Sequence, residues 1–452
     1  MLHKYFLNGY YIALDVNSGA VFSLDACTYE MLDFIAPPLK SACPDCVIQA
    51  LISKFPLIEI TESYDELYNL YLDGVLYSAD TYEKLASNLG PAPIKSMCLN
   101  IAHDCNLRCG YCFASQGNFG HGKKLMSFDI GKAAIDFLIN HSAGRINLEV
   151  DFFGGEPLMS FDTVKQIVAY AREIEKLHHK KFRFTITTNG LLLNDDMIDF
   201  INREMSNVVL SIDGRKEIHD TFRFDRSGKG SYDRILPKYN KLIESRAGKE
   251  YYVRGTYTRF NLDFSNDVEH LYRLGFDQIS IEPVVTGSNE SYCITEKELP
   301  AIFAEYETLA KKIIAHKSRG NHINFFHFML DLDQGPCALR RLRGCSCGNE
   351  YIAVTPEGDI YPCHQFVGLS NWKMGNVRVD DVDNRIKYYF SKATIYSKIS
   401  CVNCWARFYC SGGCNANNYL YEGDALNPHK VSCEIEKKRL ECAIMIKVAF
   451  SK

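Results

Sequence analysis

Three cysteines spaced C-x-x-x-C-x-x-C, Cys105, Cys109 and Cys112, stand in the stretch His103-Asp104-Cys105-Asn106-Leu107-Arg108-Cys109-Gly110-Tyr111-Cys112-Phe113. Thiolate is the usual iron ligand in iron–sulfur clusters, and a four-iron cluster normally takes four of them. Three thiolates in one loop therefore leave one iron for a distant cysteine or for a bound small molecule. A zinc loop is the competing reading, since a chain with 18 cysteines produces some close spacings by chance.

A second field lies near the end, where ten cysteines follow residue 330. Cys401-x-x-Cys404-x5-Cys410-x3-Cys414, followed by Cys433, is far from random, and Cys345 and Gly358-Asp359-Ile360-Tyr361-Pro362-Cys363 lie upstream. A zinc ribbon uses C-x-x-C pairs but has no need of so many thiols. Cys43-Pro44-Asp45-Cys46 looks like a redox pair, yet it sits in a loop after Pro37-Pro38 without further ligands nearby and reads as structural. Cys27, Cys98, Cys293 and Cys442 belong to no motif and read as buried free thiols.

The bulk properties narrow the setting. A composition of 46 % hydrophobic and 23 % charged residues is ordinary for a globular protein, and a net charge of −4 gives no reason to expect a nucleic-acid partner. The opening MLHKYFLNGYYIALDV lacks the basic start and apolar core of a signal peptide, and no run approaches the roughly 18 apolar residues of a membrane span. Cytosolic thiols stay reduced, so cluster or metal ligation is a better account of the cysteines than disulfides. A cytoplasmic location, away from membranes, is the expectation.

A chain of 452 residues is too long for one compact core, and its patterns divide it at about 90 and 325. Residues 1–90 open on β-rich runs separated by Asn8-Gly9 and Asn17-Ser18-Gly19, a strong hairpin signal. Helical patterns follow at 28–36, 45–55 and 63–73, the last with a capping box from Ser63 to Glu66, and then a strand at 75–78. This reads as a winged-helix-like domain without the basic helix that DNA binding requires, but with an edge strand to which an extended peptide could add. Residues 79–95 read as a linker. From Ser96, strands at 96–102, 146–153, 182–187, 207–212, 251–258 and 277–283 alternate with helices at 127–141, 161–177, 194–204, 232–246, 265–274 and 296–317. Six βα units imply an α/β fold with a parallel sheet curled into a partial (β/α)6 barrel. Chemistry in such folds sits at the carboxyl ends of the strands, and the unusual turns fall there: the cysteine loop, Gly154-Gly155-Glu156-Pro157, Thr187-Thr188-Asn189-Gly190, Ser211-Ile212-Asp213-Gly214 and Ile281-Glu282-Pro283. Gly154 and Gly155 allow close backbone approach and Glu156 adds charge. Ser211, Thr188 and Asn189 suit a ribose or carboxylate, and Arg223 suits a carboxylate.

The C-x-x-x-C-x-x-C loop followed by Gly-Gly-Glu-Pro resembles the radical S-adenosylmethionine (SAM) enzymes over roughly residues 96–290. The resemblance implies that Cys105, Cys109 and Cys112 bind the catalytic cluster and that SAM fills its open iron. It also implies that Gly154, Gly155 and Glu156 receive the methionine amino group, that Ser211 and Arg223 hold polar groups of SAM, and that Phe113 lies near the adenine. The cysteine field of residues 326–452 is similar to the SPASM extension of radical SAM peptide-modifying enzymes, which carries two auxiliary clusters. By that likeness Cys401, Cys404, Cys410 and Cys433 close one cluster, while Cys345, Cys363 and Cys414 belong to the other, whose last ligand is Cys337, Cys347 or a substrate thiolate. Three [4Fe-4S] clusters and SAM are thus the implied cofactors.

The domain order and the segment from Tyr351 to Val367 look closest to maturases of the "six cysteines in forty-five residues" peptides. That group joins a substrate cysteine sulfur to a threonine α-carbon in a ribosomally made, cysteine-rich precursor peptide held by its leader, with an electron donor such as ferredoxin or flavodoxin. On this reading, removing residues 1–90 weakens peptide turnover and spares uncoupled SAM cleavage. An anaerobic sulfatase maturase, which makes formylglycine, is the alternative; many of these carry aspartate where His364 follows Cys363. A non-catalytic iron–sulfur electron carrier is the alternative from another class, but it has no use for Gly154, Gly155, Glu156, Ser211 or Arg223.

Overall fold

A computed structural model describes residues 1–120, 122–287, 289–332 and 337–451. The N-terminal strands β1 (Leu2–Leu7), β2 (Tyr10–Asp15) and β3 (Val21–Leu24) form an antiparallel meander. Asn8 and Gly9, which join β1 to β2, both take positive φ, of 50° and 92°, as a two-residue hairpin turn requires. Helices α1 (Ala26–Met31), α2 (Asp45–Leu51) and α3 (Leu57–Leu72) follow.

Two local expectations fail here. Helix α3 begins after Pro56, so Ser63 lies inside it and is buried rather than capping it. Proline at the helix start supplies the fixed φ and loses no needed donor. Residues 75–78 are not a strand. The buried Asp15 carboxylate accepts from the backbone N–H groups of Asn17, Ser18 and Ser78, and this side-chain bonding replaces a ladder. The winged-helix expectation thus retains the sheet and three helices without the returning strand. The segment expected as a linker carries a short helix, α4 (Glu83–Ser87).

The central strands are β4 (Ser96–His103), a short β5 (Lys124–Leu125), β6 (Asn147–Gly154), β7 (Lys181–Thr188), β8 (Asn207–Ser211), β9 (Glu250–Tyr257) and β10 (Gln278–Pro283). β4, β6, β7, β8, β9 and β10 pair in parallel in chain order. Between and after them run α5 (Phe128–His141), α6 (Phe161–Leu177), α7 (Asp195–Glu204), α8 (Lys216–Phe222), α9 (Tyr232–Glu244), α10 (Phe264–Arg273) and α11 (Leu299–Ser318). Their spacing explains the packing: α6 buries Phe161, Val164, Ile167, Val168, Ala171 and Ile174, a stripe at helical period. Each large apolar side chain so buried contributes roughly 1.5–3 kcal/mol.

The sheet stays open and continues into the C-terminal region. Past β11 (Asn324–Phe325) and α12 (Ala338–Arg343), strand β12 (Tyr351–Val354) adds parallel to β4, with Tyr351 opposite Ser96 and Val354 opposite Leu99. β13 (Asp359–Tyr361), β14 (Gly375–Asn376) and β15 (Asp381–Val382) extend it antiparallel. Helices α13 (Asn384–Ser391), α14 (Ile399–Val402), α15 (Arg407–Cys410), α16 (Asn415–Glu422) and α17 (Lys430–Val448) complete the chain. Helix α17 packs on α11 and reaches β1, where the Tyr5 hydroxyl donates to the Glu441 carbonyl at 3.0 Å. Tyr5, Leu7, Ile12 and Leu14 share one hydrophobic core with the parallel strands. No described helix is long and apolar enough to cross a membrane.

Candidate functional site

The carboxyl ends of the parallel strands surround a cavity of about 300 Å3. Cys105, Cys109 and Cys112 reach it after β4, Gly154–Glu156 after β6, Thr187–Asn189 at β7, Ser211 at β8 and Glu282 at β10. Phe113 and Arg223 line it as well, so every SAM-side residue expected from sequence meets the same space. The C-terminal region contributes a wall of its own with His364, Gln365, Cys414 and Asn417.

The cysteine loop is held by close backbone packing. A Cβ on Gly155 would stand 2.1 Å from the Asp104 carbonyl oxygen, and one on Gly154, at φ +125°, 2.5 Å from that of Ala102. Only glycine fits at either position. Cys105 Sγ accepts from Leu107 N at 3.4 Å, and Asn189 Nδ2 donates to it at 3.6 Å. Burial pushes the Cys105 and Cys109 thiols up to about 12. A bound cation reverses that, because a coordinating thiol is deprotonated outright.

Glu156 differs from expectation. Its buried carboxylate accepts from Thr188 Oγ1 at 2.7 Å, Asn189 N at 2.8 Å and Leu158 N at 3.1 Å. It thus ties the end of β6 to the end of β7. Burial raises its pKa to about 7 against these bonds.

Arg223 is likewise already engaged. Its Nε donates to Asp213 Oδ2 at 2.9 Å, the Tyr111 hydroxyl donates to the same oxygen at 2.5 Å, and Thr256 N donates to Oδ1 at 2.9 Å. Asp213, which the sequence reading left without a role, therefore joins the cysteine loop, β9 and Arg223. The available signal was a carboxylate two residues past Ser211 at a strand end. Arg254 and Glu282, paired at 3.0 Å, were also missed as a couple.

An aromatic wall joins the two halves. Phe113, 44 % exposed, lies 6.4 Å from the Phe153 ring and 5.7 Å from His364. His364 Nδ1 stands 3.2 Å from the Tyr351 hydroxyl, and burial lowers the imidazole pKa to about 4, which keeps it neutral.

Electrostatic interactions sort the thiols into three sets. Cys105, Cys109 and Cys112 form the first. Cys345, Cys347, Cys363 and Cys414 form the second. Cys401, Cys404, Cys410 and Cys433 form the third. Cys337 is exposed and belongs to none of them, whereas Cys347 is 2 % exposed and accepts from Asn415 Nδ2 at 3.4 Å. Among the described residues no three His, Cys, Asp or Glu side chains close to single-ion spacing, which for ligands on a zinc ion is about 4 Å from one another. Cys27, Cys98, Cys293 and Cys442 are buried, as expected.

Lys437 faces the third set, and a second, buried lysine lies beside both of the last two sets. Lys398 is 2 % exposed, and its Nζ donates to the Gly412 carbonyl at 2.7 Å and to Asn415 Oδ1 at 2.6 Å. Both acceptors are neutral. A buried ammonium without a carboxylate fits an anionic group held by the surrounding thiolates.

Residues 99–256 match the radical SAM superfamily, and residues 345–405 match the SPASM iron–sulfur cluster-binding domain. The cysteine-type anaerobic sulfatase-maturating enzyme of Clostridium novyi (strain NT) is 25 % identical over 70 % of this chain and 86 % of its own. The radical SAM cyclopropyl synthase TigE of Paramaledivibacter caminithermalis is 23 % identical over 76 % of this chain and 72 % of its own. In fold, the solved structure of native anSMEcpe with bound AdoMet superposes with a TM-score of 0.65 at 21 % identity, covering 80 % of this chain and 100 % of that one.

Proposed function

From a chain that carries radical SAM and SPASM iron–sulfur domains, we propose a peptide maturase that installs thioether bridges between cysteine sulfur and threonine α-carbon in a cysteine-rich precursor. Cys105, Cys109 and Cys112 would hold a four-iron cluster, which would supply the electron for reductive cleavage of SAM and so the hydrogen-abstracting chemistry. The observation that carries the reading is the shared cavity: the cysteine loop and SAM-side residues form one wall, and His364 and Cys414 form the other. A substrate residue held there lies between the radical source and the second thiol set.

The chain's own residues divide the work. Gly154 and Gly155 give SAM close access to backbone, Ser211 and the Asp213-anchored Arg223 hold its polar groups, and Phe113 offers an apolar face to the adenine. Glu156 fixes the rim on which the methionine amino group rests. Cys345, Cys347, Cys363 and Cys414 hold one auxiliary cluster, with Cys347 rather than Cys337 as the fourth ligand; Cys401, Cys404, Cys410 and Cys433 hold the other. The leader adds to the exposed edge of β3, which raises the effective concentration of the core peptide at the rim. Electrons come from a ferredoxin or flavodoxin.

The test is anaerobic reconstitution with SAM, a reductant and a small cysteine-rich peptide encoded beside the gene. Mass spectrometry is expected to show loss of two hydrogens per bridge, one from sulfur and one from the α-carbon. Deuterium at the threonine α-position is expected to appear in 5′-deoxyadenosine. Conversion of a cysteine to an aldehyde instead would establish the formylglycine reaction. The neutral His364 beside Cys363 argues for the thioether, since the carboxylate many sulfatase maturases place there is absent.

A further inference from the structure

Lys398 is buried beside Cys347, Cys401, Cys410 and Cys414, and the proposed reaction does not itself require a cation there. Its position follows from the chain. It precedes Cys401 by one helical turn, and its ammonium binds the carbonyl of Gly412, the midpoint between Cys410 and Cys414. Those two cysteines belong to different sets. Through Asn415, which accepts from Lys398 and donates to Cys347 Sγ at 3.4 Å, the same ammonium is linked to the second set. A Cβ on Gly412 would stand 3.0 Å from the lysine Nζ, so the turn is shaped closely around it.

Lys398 makes no salt bridge with a carboxylate among the described residues. Burying an unpaired charge is costly enough that such a lysine normally loses its proton or finds a counter-charge. Here desolvation does lower its pKa, while Cys401, Cys347, Cys410 and Cys414 oppose that shift. Among the described residues, the charges that oppose the shift are those of these four thiols. Two of its three N–H donors are directed at Gly412 and Asn415.

We infer that Lys398 is the shared counter-ion of the two auxiliary clusters, a positioning residue that holds the Cys410–Cys414 turn between them and raises both of their reduction potentials. This rests on the assignment of the second and third thiol sets to clusters. The physical reason is that a cluster gains negative charge on reduction, and potentials respond to nearby charge, to hydrogen bonds on sulfur and to burial. A fixed cation stabilises the reduced form most. The consequence suits the proposed reaction. Joining a thiolate to an α-carbon radical forms the C–S bond and leaves one electron over, and clusters of raised potential accept it more readily.

The experiment is a potentiometric titration of the full, cluster-loaded protein followed by electron paramagnetic resonance. In Lys398→Met the midpoints of both auxiliary clusters are expected to move to more negative values, with the Cys105–Cys109–Cys112 cluster unchanged. Lys398→Arg, which keeps the charge, is expected to retain the native potentials. Should Lys398→Met fail to load, Lys398→Gln, which keeps a donor for Gly412, is read the same way. Unchanged auxiliary midpoints in the neutral variant, or an equal shift of all three clusters, would overturn the inference. Iron and sulfide content of the native protein short of three clusters would instead overturn the assignment beneath it.

Discussion

At the scale of single residues, the site depends on groups that support the ligand-facing ones. Asp213 accepts from Tyr111, Arg223 and Thr256 and so fixes the guanidinium that faces the cavity. Asp213→Asn removes the charge and is expected to weaken SAM binding about 10- to 100-fold, the value of a hydrogen bond to a charged group, roughly 1.5–3 kcal/mol. Equilibrium dialysis measures this, and far-ultraviolet circular dichroism is expected to stay native. Behind Asp213 stands His219. Its Nδ1 accepts from Asp213 N at 3.3 Å, and Nε2 lies 2.8 Å from Ser231 Oγ, whose hydroxyl donates to the Arg223 carbonyl. That pattern requires the neutral ring, and burial lowers its pKa from 6.5 to about 4. A depressed folded-state pKa contributes stability that is fully present above 6.5 and is lost as pH falls toward 4. The loss amounts to about 3 kcal/mol at most for one such group. Thermal melts between these limits are expected to flatten in His219→Gln; an unaltered pH slope would remove His219 from this account.

At the scale of elements, the N-terminal sheet behaves as part of the body. Tyr5, Leu7, Ile12 and Leu14 enter the same core as the parallel strands. His3 stacks on Trp405 with centroids 3.8 Å apart, and Arg407 pairs with Asp80 at 3.0 Å. Removal of residues 1–90 is therefore expected to lower the melting temperature of the remainder and abolish uncoupled SAM cleavage, not merely peptide turnover. Retention of native SAM cleavage by the truncated chain would show the sheet to be separable. The parallel strands and their helices were legible in sequence because their signals are local: alternation in β6, the 3.6-residue stripe of α6, and polar turns at strand ends. Elements governed by distant partners were not. The 75–78 strand gave way to bonds on Asp15, sixty residues earlier in the chain, and the start of α3 was set by Pro56 instead of the Ser63 capping box. Asp213 and Lys398 had identifiable residue types, but their partners come together only in three dimensions.

At the scale of the whole molecule, the decisive feature is the pairing of β12 with β4. It continues the parallel sheet across some 250 residues of intervening chain, from Ser96 to Tyr351. Neither strand carries a sequence signal for the other. The consequence is mechanical: β4 leads into the Cys105 loop, and β12 leads through β13 to Cys363 and His364, so one ladder positions both walls of the cavity. Two domains joined only by a linker would unfold independently, whereas a shared ladder makes their stability common. Ile352, fully buried opposite Met97 on that ladder, tests this. Ile352→Ala is expected to cost about 2–5 kcal/mol through lost burial and the cavity left behind. Because the seam serves both sides, urea titrations followed by tyrosine fluorescence and by cluster absorbance are expected to shift together and remain one transition. Separation into two transitions, one by cluster absorbance and the other by tyrosine fluorescence, would mean that the cavity is closed by docking and not by the sheet.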